Sequence, residues 1–327
     1  MAIYPQRACC LSLWYNSSTV PDPSSQGSLR LFRLSGIEVF LHWSWFVVAV
    51  YEIQQRDGGR YSSIKWNILE YLGLFAIVLL HEFGHALACR QVGGRANRIV
   101  LWPLGGVAYV DPPPRPGATL WSIAAGPLVN VALVPVILGL GYVSRQAGWY
   151  QLAPDLHTLL KRIFLIDIWL LAFNILPIYP LDGGQILRSL LWFVFGRARS
   201  LMVAASIGFV GVIGFVGLAV WLQSVWFGAI AAFLLLNCWS GLKQARALLT
   251  IAKLPRREGF LCPRCKSKPP LGDFWTCGQC QHAFDTFQTG AACPACGTRF
   301  DVTRCLDCGW AFPMDRWAAA NLTPTNL

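Results

Sequence analysis

A mainly α-helical, polytopic membrane fold, with a small cysteine-rich module near its C-terminal end, is what this sequence predicts. Three observations predict it. Hydrophobic residues make up 55% of the 327-residue chain, charged residues only 13%, and the mean hydropathy is +0.46. That is the composition of several transmembrane helices, not of a soluble domain. Apolar runs long enough to cross a bilayer recur, as in Ile68 to Cys89, Leu120 to Val143 and Leu201 to Leu222. Of twelve cysteines, eight fall in the last quarter as four Cys-x-x-Cys pairs. The net charge of +11 then marks cytoplasmic flanks more than a nucleic-acid surface.

Taken in order, residues 1–29 read as a flexible N-terminal arm, rich in Ser, Pro and Gly. The apolar part, Ala8 to Tyr15, is short and lacks a small-residue cleavage site, and Cys9 and Cys10 are read as unmodified. Residues 30–250 form the membrane core. Its first span runs from Ile37 to Tyr51 and carries His42 among aromatics, where it is read as structural. A polar loop leads to the second span, Ile68 to Cys89. Arg90 to Pro116 differs in kind: Ile99–Trp102 and Val107–Val110, separated by Gly105-Gly106, read as a membrane-associated β-hairpin. An open sheet edge cannot face lipid, so it must be covered, line a wet cavity or pair with an extended peptide.

The third span, Leu120 to Val143, opens with Ala124-Ala125-Gly126-Pro127-Leu128-Val129-Asn130, whose small residues allow close helix contact. The fourth, Ile163 to Leu176, has Asp167 near its start and ends in Asn174-Ile175-Leu176-Pro177-Ile178-Tyr179-Pro180-Leu181-Asp182-Gly183-Gly184. Two prolines and two glycines break the helix there, and such a break is tolerated at depth where it lines a polar cavity. The apolar stretches beyond bring the expected number of spans to about six. Basic clusters at Arg30/Arg33, Arg90–Arg98, Arg188–Arg199 and Lys243–Arg257 mark the cytoplasmic side.

The chemistry is concentrated in His81-Glu82-Phe83-Gly84-His85. Ionisable groups at membrane depth are costly, so three within five residues call for a function. His81 and His85 are four residues apart and share one helix face, where they can grip one metal ion. Glu82 sits about 100° around the helix, placed to take a proton from a metal-bound water. A zinc hydrolase needs a third protein ligand and an open position. Asp182, a carboxylate at a helix break, is the strongest candidate.

These residues resemble the site-2 protease family of intramembrane metalloproteases. Three marks carry the resemblance: His81-Glu82-x-x-His85, Gly126-Pro127-Leu128-Val129-Asn130, and Asn174-x-x-Pro177-x-x-x-Leu181-Asp182-Gly183-Gly184. It covers about Ile37 to Cys238. The layout has no inserted PDZ domain and looks like the compact branch that includes the sporulation-factor processing protease and its archaeal relatives. The resemblance implies zinc held by His81, His85 and Asp182, with Glu82 as general base. It also implies a membrane-protein substrate whose transmembrane helix must partly unwind in the bilayer. Asn130 and Asn174 are candidates to hold the substrate or the oxyanion, and the hairpin is a candidate clamp. The alternative is a catalytically silent membrane scaffold, which has no need of Glu82. A metal transporter would need polar residues along a continuous path, and there is one cluster only.

Residues 251–260 read as a linker, 261–312 as a double zinc ribbon and 313–327 as a flexible tail. The knuckles are Cys262/Cys265, Cys277/Cys280, Cys293/Cys296 and Cys305/Cys308, with gaps of 11, 12 and 8 residues. Eight thiolates make two four-cysteine zinc sites. The expected pairing is in order, Cys262, Cys265, Cys277 and Cys280 for one zinc and Cys293, Cys296, Cys305 and Cys308 for the other, with a cross-braced pairing as the alternative. A basic juxtamembrane stretch places the ribbons in the cytoplasm, where they would present a surface to a protein partner. Asp residues interleaved with the basic ones point away from nucleic acid.

Overall fold

The computed structural model describes residues 27–55, 61–102, 105–308 and 310–317. Residues 1–26 and 318–327 lie outside the described residues, and with them Cys9, Cys10 and most of the expected arm and tail. The chain divides into two compact units, one containing Pro21–Leu242 and the other containing Lys243–Leu327.

Among the described residues the first unit opens on strands, in place of the expected membrane span. β1 (Ser28–Leu34) pairs antiparallel with β2 (Ile37–His42), and α1 (Ser44–Gln55) follows. The expected span Ile37–Tyr51 is therefore a strand joined to a short helix. The reason is local: Ile37, Val39, Phe40 and Leu41 are all buried. A strand covered on both faces reads as a continuous apolar run, which periodicity cannot tell from buried helix.

The expected hairpin is present as β3 (Arg95–Trp102) and β4 (Gly105–Asp111), paired antiparallel. It is half of a four-stranded sheet in the order β1-β2-β3-β4, because β2 runs parallel to β3 with Val39 opposite Ile99 and Leu41 opposite Leu101. β4 is left as an edge. Between β2 and β3 the chain passes through α1 and α2 (Ile64–Gln91), so the sheet is built around the helix that carries the histidines. Ile37, Val39, Ile99 and Leu101 pack with Val78, Phe83, Ala86 and Cys89 of α2 in one apolar core.

α3 (Pro116–Gln146), α4 (Trp149–Leu152), α5 (Pro154–Ile175), α6 (Asp182–Trp221) and α7 (Val225–Ala252) follow. Among the described residues, α2, α3 and α6 are long and apolar enough to cross a membrane. α6 is two helices joined at Gly196, whose φ of +76° only glycine adopts at little strain. α2 and α3 approach closely through small residues: a Cβ on Gly84 would lie 2.8 Å from the Ala125 carbonyl oxygen.

The second unit is a pair of short hairpins with cysteine knuckles at their tips. β5 (Trp275–Thr276) pairs with β6 (Ala283–Phe284), and β7 (Thr303–Arg304) with β8 (Ala311–Phe312). The expected linker is not free. Arg256 bonds both carboxylate oxygens of Asp307, at 2.6 and 3.1 Å, and Arg257 Nη2 donates to Asp285 Oδ2 at 2.5 Å. Met314–Trp317, read as tail, is a turn of 3₁₀ helix whose Trp317 is fully buried with Phe287, Phe312 and Cys262.

Candidate metal centre and active site

α2 carries His81, Glu82 and His85, all nearly inaccessible to solvent. Asp182 is the first residue of α6 and enters from the broken segment, which includes a cis Tyr179–Pro180 bond. Its turn is tight, because a Cβ on Gly183 would fall 2.1 Å from the Ile175 carbonyl oxygen. The glycine pair lets Asp182 reach α2.

Three donor atoms meet. His81 Nε2 lies 3.0 Å from Asp182 Oδ2, His85 Nε2 lies 3.3 Å from the same oxygen, and the two Nε2 atoms are 3.1 Å apart. Ligands about 2.05 Å from a tetrahedral zinc stand roughly 3.3 Å from one another. The triangle therefore fits a zinc ion, and its donor set of two imidazoles and a carboxylate is one that zinc accepts.

Both rings are gripped from behind by α3. His85 Nδ1 is 2.9 Å from the Ser122 carbonyl oxygen, and His81 Nδ1 is 2.6 Å from Asn130 Oδ1. A partner at Nδ1 fixes ring orientation and leaves Nε2 for the ion. Gly126 supplies the room, since a Cβ there would lie 2.3 Å from His85 Nε2 and 2.8 Å from His81 Nε2. The Gly126-Pro127-x-x-Asn130 motif thus acts as a seat for the two rings.

Asn130 faces the back of His81 instead of an open substrate position. It is fully buried, and its Nδ2 donates to Asp167 Oδ1 at 2.6 Å, so both ends of its amide are engaged. In this arrangement Asn130 contacts His81 and Asp167, on the side of the ring away from Nε2. Asn174 lies half-buried in the last turn of α5, beside the Ile175 carbonyl that packs on Gly183. His42 is satisfied structurally, with Nδ1 2.5 Å from Ser44 Oγ and its ring stacked on Trp102.

The edge strand lies directly on Glu82. Ala108 N–H donates to Glu82 Oε2 at 2.8 Å, and a Cβ on Gly106 would lie 2.5 Å from Glu82 Oε1. Ala108 therefore spends its N–H outside the sheet, on the open side of β4. Ser122, Asp167, Gly106 and Ala108 join the site only in the folded chain. Asp167 carried a signal, an acid within an apolar span; the others have none outside the fold.

The cysteines form two nested clusters. Cys262, Cys265, Cys305 and Cys308 group together, as do Cys277, Cys280, Cys293 and Cys296. The in-order pairing is overturned: the first knuckle joins the fourth and the second joins the third. Sulfur separations are 3.7 Å for Cys262–Cys308 and Cys265–Cys305, 3.5 Å for Cys277–Cys296 and 3.6 Å for Cys280–Cys293. Tetrahedral zinc–thiolate sites place sulfurs roughly 3.8 Å apart, so both clusters fit zinc. The physical reason is packing: Phe260, Phe287, Trp317 and Phe312 draw the first and fourth knuckles into one core. The inner cluster is the more open, with Cys280 and Cys296 exposed. The Thr298 hydroxyl, 3.1 Å from Cys296 Sγ, leads the contacts that pull this thiol down to about 6.

A buried His/His/Asp triangle with a carboxylate on the neighbouring helix position defines a candidate metallohydrolase centre in an apolar helical core. Residues 70–151 and 146–218, somewhat under half of the chain, match the model of Peptidase family M50, to which this part of the chain is similar. It is 35% identical to the zinc metalloprotease MJ0392 of Methanocaldococcus jannaschii over 183 residues, covering 55% of this chain and 50% of that protein. The putative zinc metalloprotease sll0528 of Synechocystis is 28% identical over 237 residues, 67% of this chain and 61% of that one. Stage IV sporulation protein FB of Bacillus subtilis is 33% identical over 120 residues, 36% of this chain and 38% of that one. The chain thus spans about half the length of these relatives. A solved site-2 protease from Methanocaldococcus jannaschii aligns with a TM-score of 0.48 at 28% identity, over 66% of this chain and 95% of that one.

Proposed function

We propose that this protein is an intramembrane zinc metalloendopeptidase that cuts peptide bonds within or near transmembrane segments of membrane-anchored proteins. The observation that carries the reading is the triangle of His81, His85 and Asp182 with Glu82 beside it under an edge strand. Bound there, zinc would supply Lewis acidity, bringing a water at its open position toward a pKa of about 7 and polarising the scissile carbonyl. Glu82 takes the proton of the attacking water and returns it to the leaving amine. The open side of β4, which already donates from Ala108 toward Glu82, can add an unwound substrate segment as a further strand. That places a peptide bond next to the general base, and the surrounding apolar core limits access of bulk water. Asn174, beside the Asp182 turn, is a candidate to steady the substrate.

The core is read as spanning the membrane about six times, with the cysteine module on the cytoplasmic side. There it would bind two structural zinc ions and present a surface to a protein partner. The test is co-expression with a panel of single-span membrane proteins. Glu82→Gln should lower cleavage by about 10² to 10⁴-fold. Cleavage that persists at the parental rate sinks the mechanism.

A further inference from the structure

Behind the metal centre lies a polar chain that the proposed chemistry does not use. Asp167 of α5 accepts from Asn130 Nδ2, and Asn130 Oδ1 stands at His81 Nδ1, each at 2.6 Å. Asp167 and Asn130 are both fully buried, and Asp167 Oδ2 has no hydrogen-bond partner among the described residues. A buried carboxylate with one oxygen unsatisfied is costly to keep among apolar helices. Packing alone gives no reason for it, because an amide or a leucine would fill a similar volume.

The polarity of the chain gives one. In its ionised form the Asp167 carboxylate only accepts hydrogen bonds, and its Oδ1 is the acceptor of the Asn130 Nδ2 bond. Asn130 must therefore turn its NH₂ toward Asp167 and its carbonyl oxygen toward His81. That oxygen also only accepts, so the hydrogen between them belongs to His81 Nδ1. An imidazole protonated at Nδ1 keeps its lone pair on Nε2, and Nε2 is the atom that faces His85 and Asp182. His85 gets the same arrangement directly from the Ser122 carbonyl. Only His81 meets a side chain that could point either way.

We propose that Asp167 is a positioning residue for the metal centre: acting through Asn130, it holds His81 protonated at Nδ1, with Nε2 aimed at the ion. This rests on the reading of His81 as a metal ligand. An amide at 167 could offer either a donor or an acceptor, and Asn130 would no longer be locked in one orientation.

The chain has five histidines, so NMR of the full-length protein with isotope-labelled imidazole nitrogens can resolve them, and His81→Ala assigns the His81 signals. In the metal-free parent, His81 Nδ1 should carry a proton; an unprotonated Nδ1 overturns the proposal without need of a variant. In Asp167→Asn, part of the His81 population should lose that proton. Chelator competition should then show one zinc bound about 10- to 100-fold more weakly, with the cysteine-held zinc unchanged. A folded Asp167→Asn with parental signals and parental affinity overturns the proposal. His81→Ala separates the two levels. If it keeps its full zinc complement, the ligand reading fails and the proposal with it. If it loses one zinc while Asp167→Asn behaves as the parent, only the relay falls.

Discussion

At the scale of single residues, what distinguishes this site is how little room it has. His81 and His85 are held at both ends, with Nδ1 on α3 and Nε2 facing Asp182. Gly126 sits against both rings, and no side chain larger than hydrogen fits there. Gly126→Ala should force the rings apart or tilt α3 away, destabilising the core by about 1–3 kcal/mol, as overpacking does. Metal analysis would find the centre's zinc depleted and the cysteine-bound zinc intact. A Gly126→Ala protein with full metal content would show that the helices yield without disturbing the ligands. The same residue illustrates how far the sequence could be read. Gly126 was legible as a small residue that permits helix contact. That its contact is with the two imidazoles depends on the rotation of α3 about its axis, which no local pattern states.

At the scale of elements, the edge strand and the helix that carries His81, Glu82 and His85 form one device. β4 is fixed on one side by its ladder with β3, and on the other it offers Ala108 N–H to Glu82. Proline is tolerated on an edge strand where its missing N–H faces outward. Ala108→Pro should therefore keep the sheet but remove the donor to Glu82. A hydrogen bond to a charged group is worth about 1.5–3 kcal/mol, so cleavage should fall about ten- to a hundredfold, with metal content unchanged. An Ala108→Pro variant that cleaves at the parental rate would mean that the strand only roofs the cavity. The hairpin itself was readable from two β-rich runs around glycine. Its partners β1 and β2 were not. β2 is buried on both faces and parallel to β3, so its alternation is lost, and it resembles the start of a span.

At the scale of the whole molecule, the chain combines an apolar helical unit with a cysteine unit in which one cluster is inserted inside the other. Nesting makes a prediction that in-order pairing does not. Cys262→Ser combined with Cys308→Ser should release one zinc, because both residues belong to one cluster. Cys262→Ser combined with Cys277→Ser should release two. Metal analysis of the purified double variants decides between them, and the reverse pattern would restore the in-order pairing. The gaps of 11, 12 and 8 residues are too even to reveal the pairing. It is decided by which aromatic side chains can share a core, and Trp317, from a stretch that reads as tail, is one of them.

The sequence by itself determined the chemistry of the centre: two imidazoles on one helix face, a neighbouring carboxylate, and a distant aspartate released by a helix break. It could do so because spacing on a helix and breakage by proline and glycine are local properties. The tertiary structure alone decided what surrounds those groups. Asn130 turns to the back of His81, Asp167 stands behind Asn130, β4 lies on Glu82, and the cysteines pair from the outside in. Each of these depends on contacts between residues far apart in the chain, where burial and hydrogen-bond satisfaction select one arrangement from several that the local patterns allow equally.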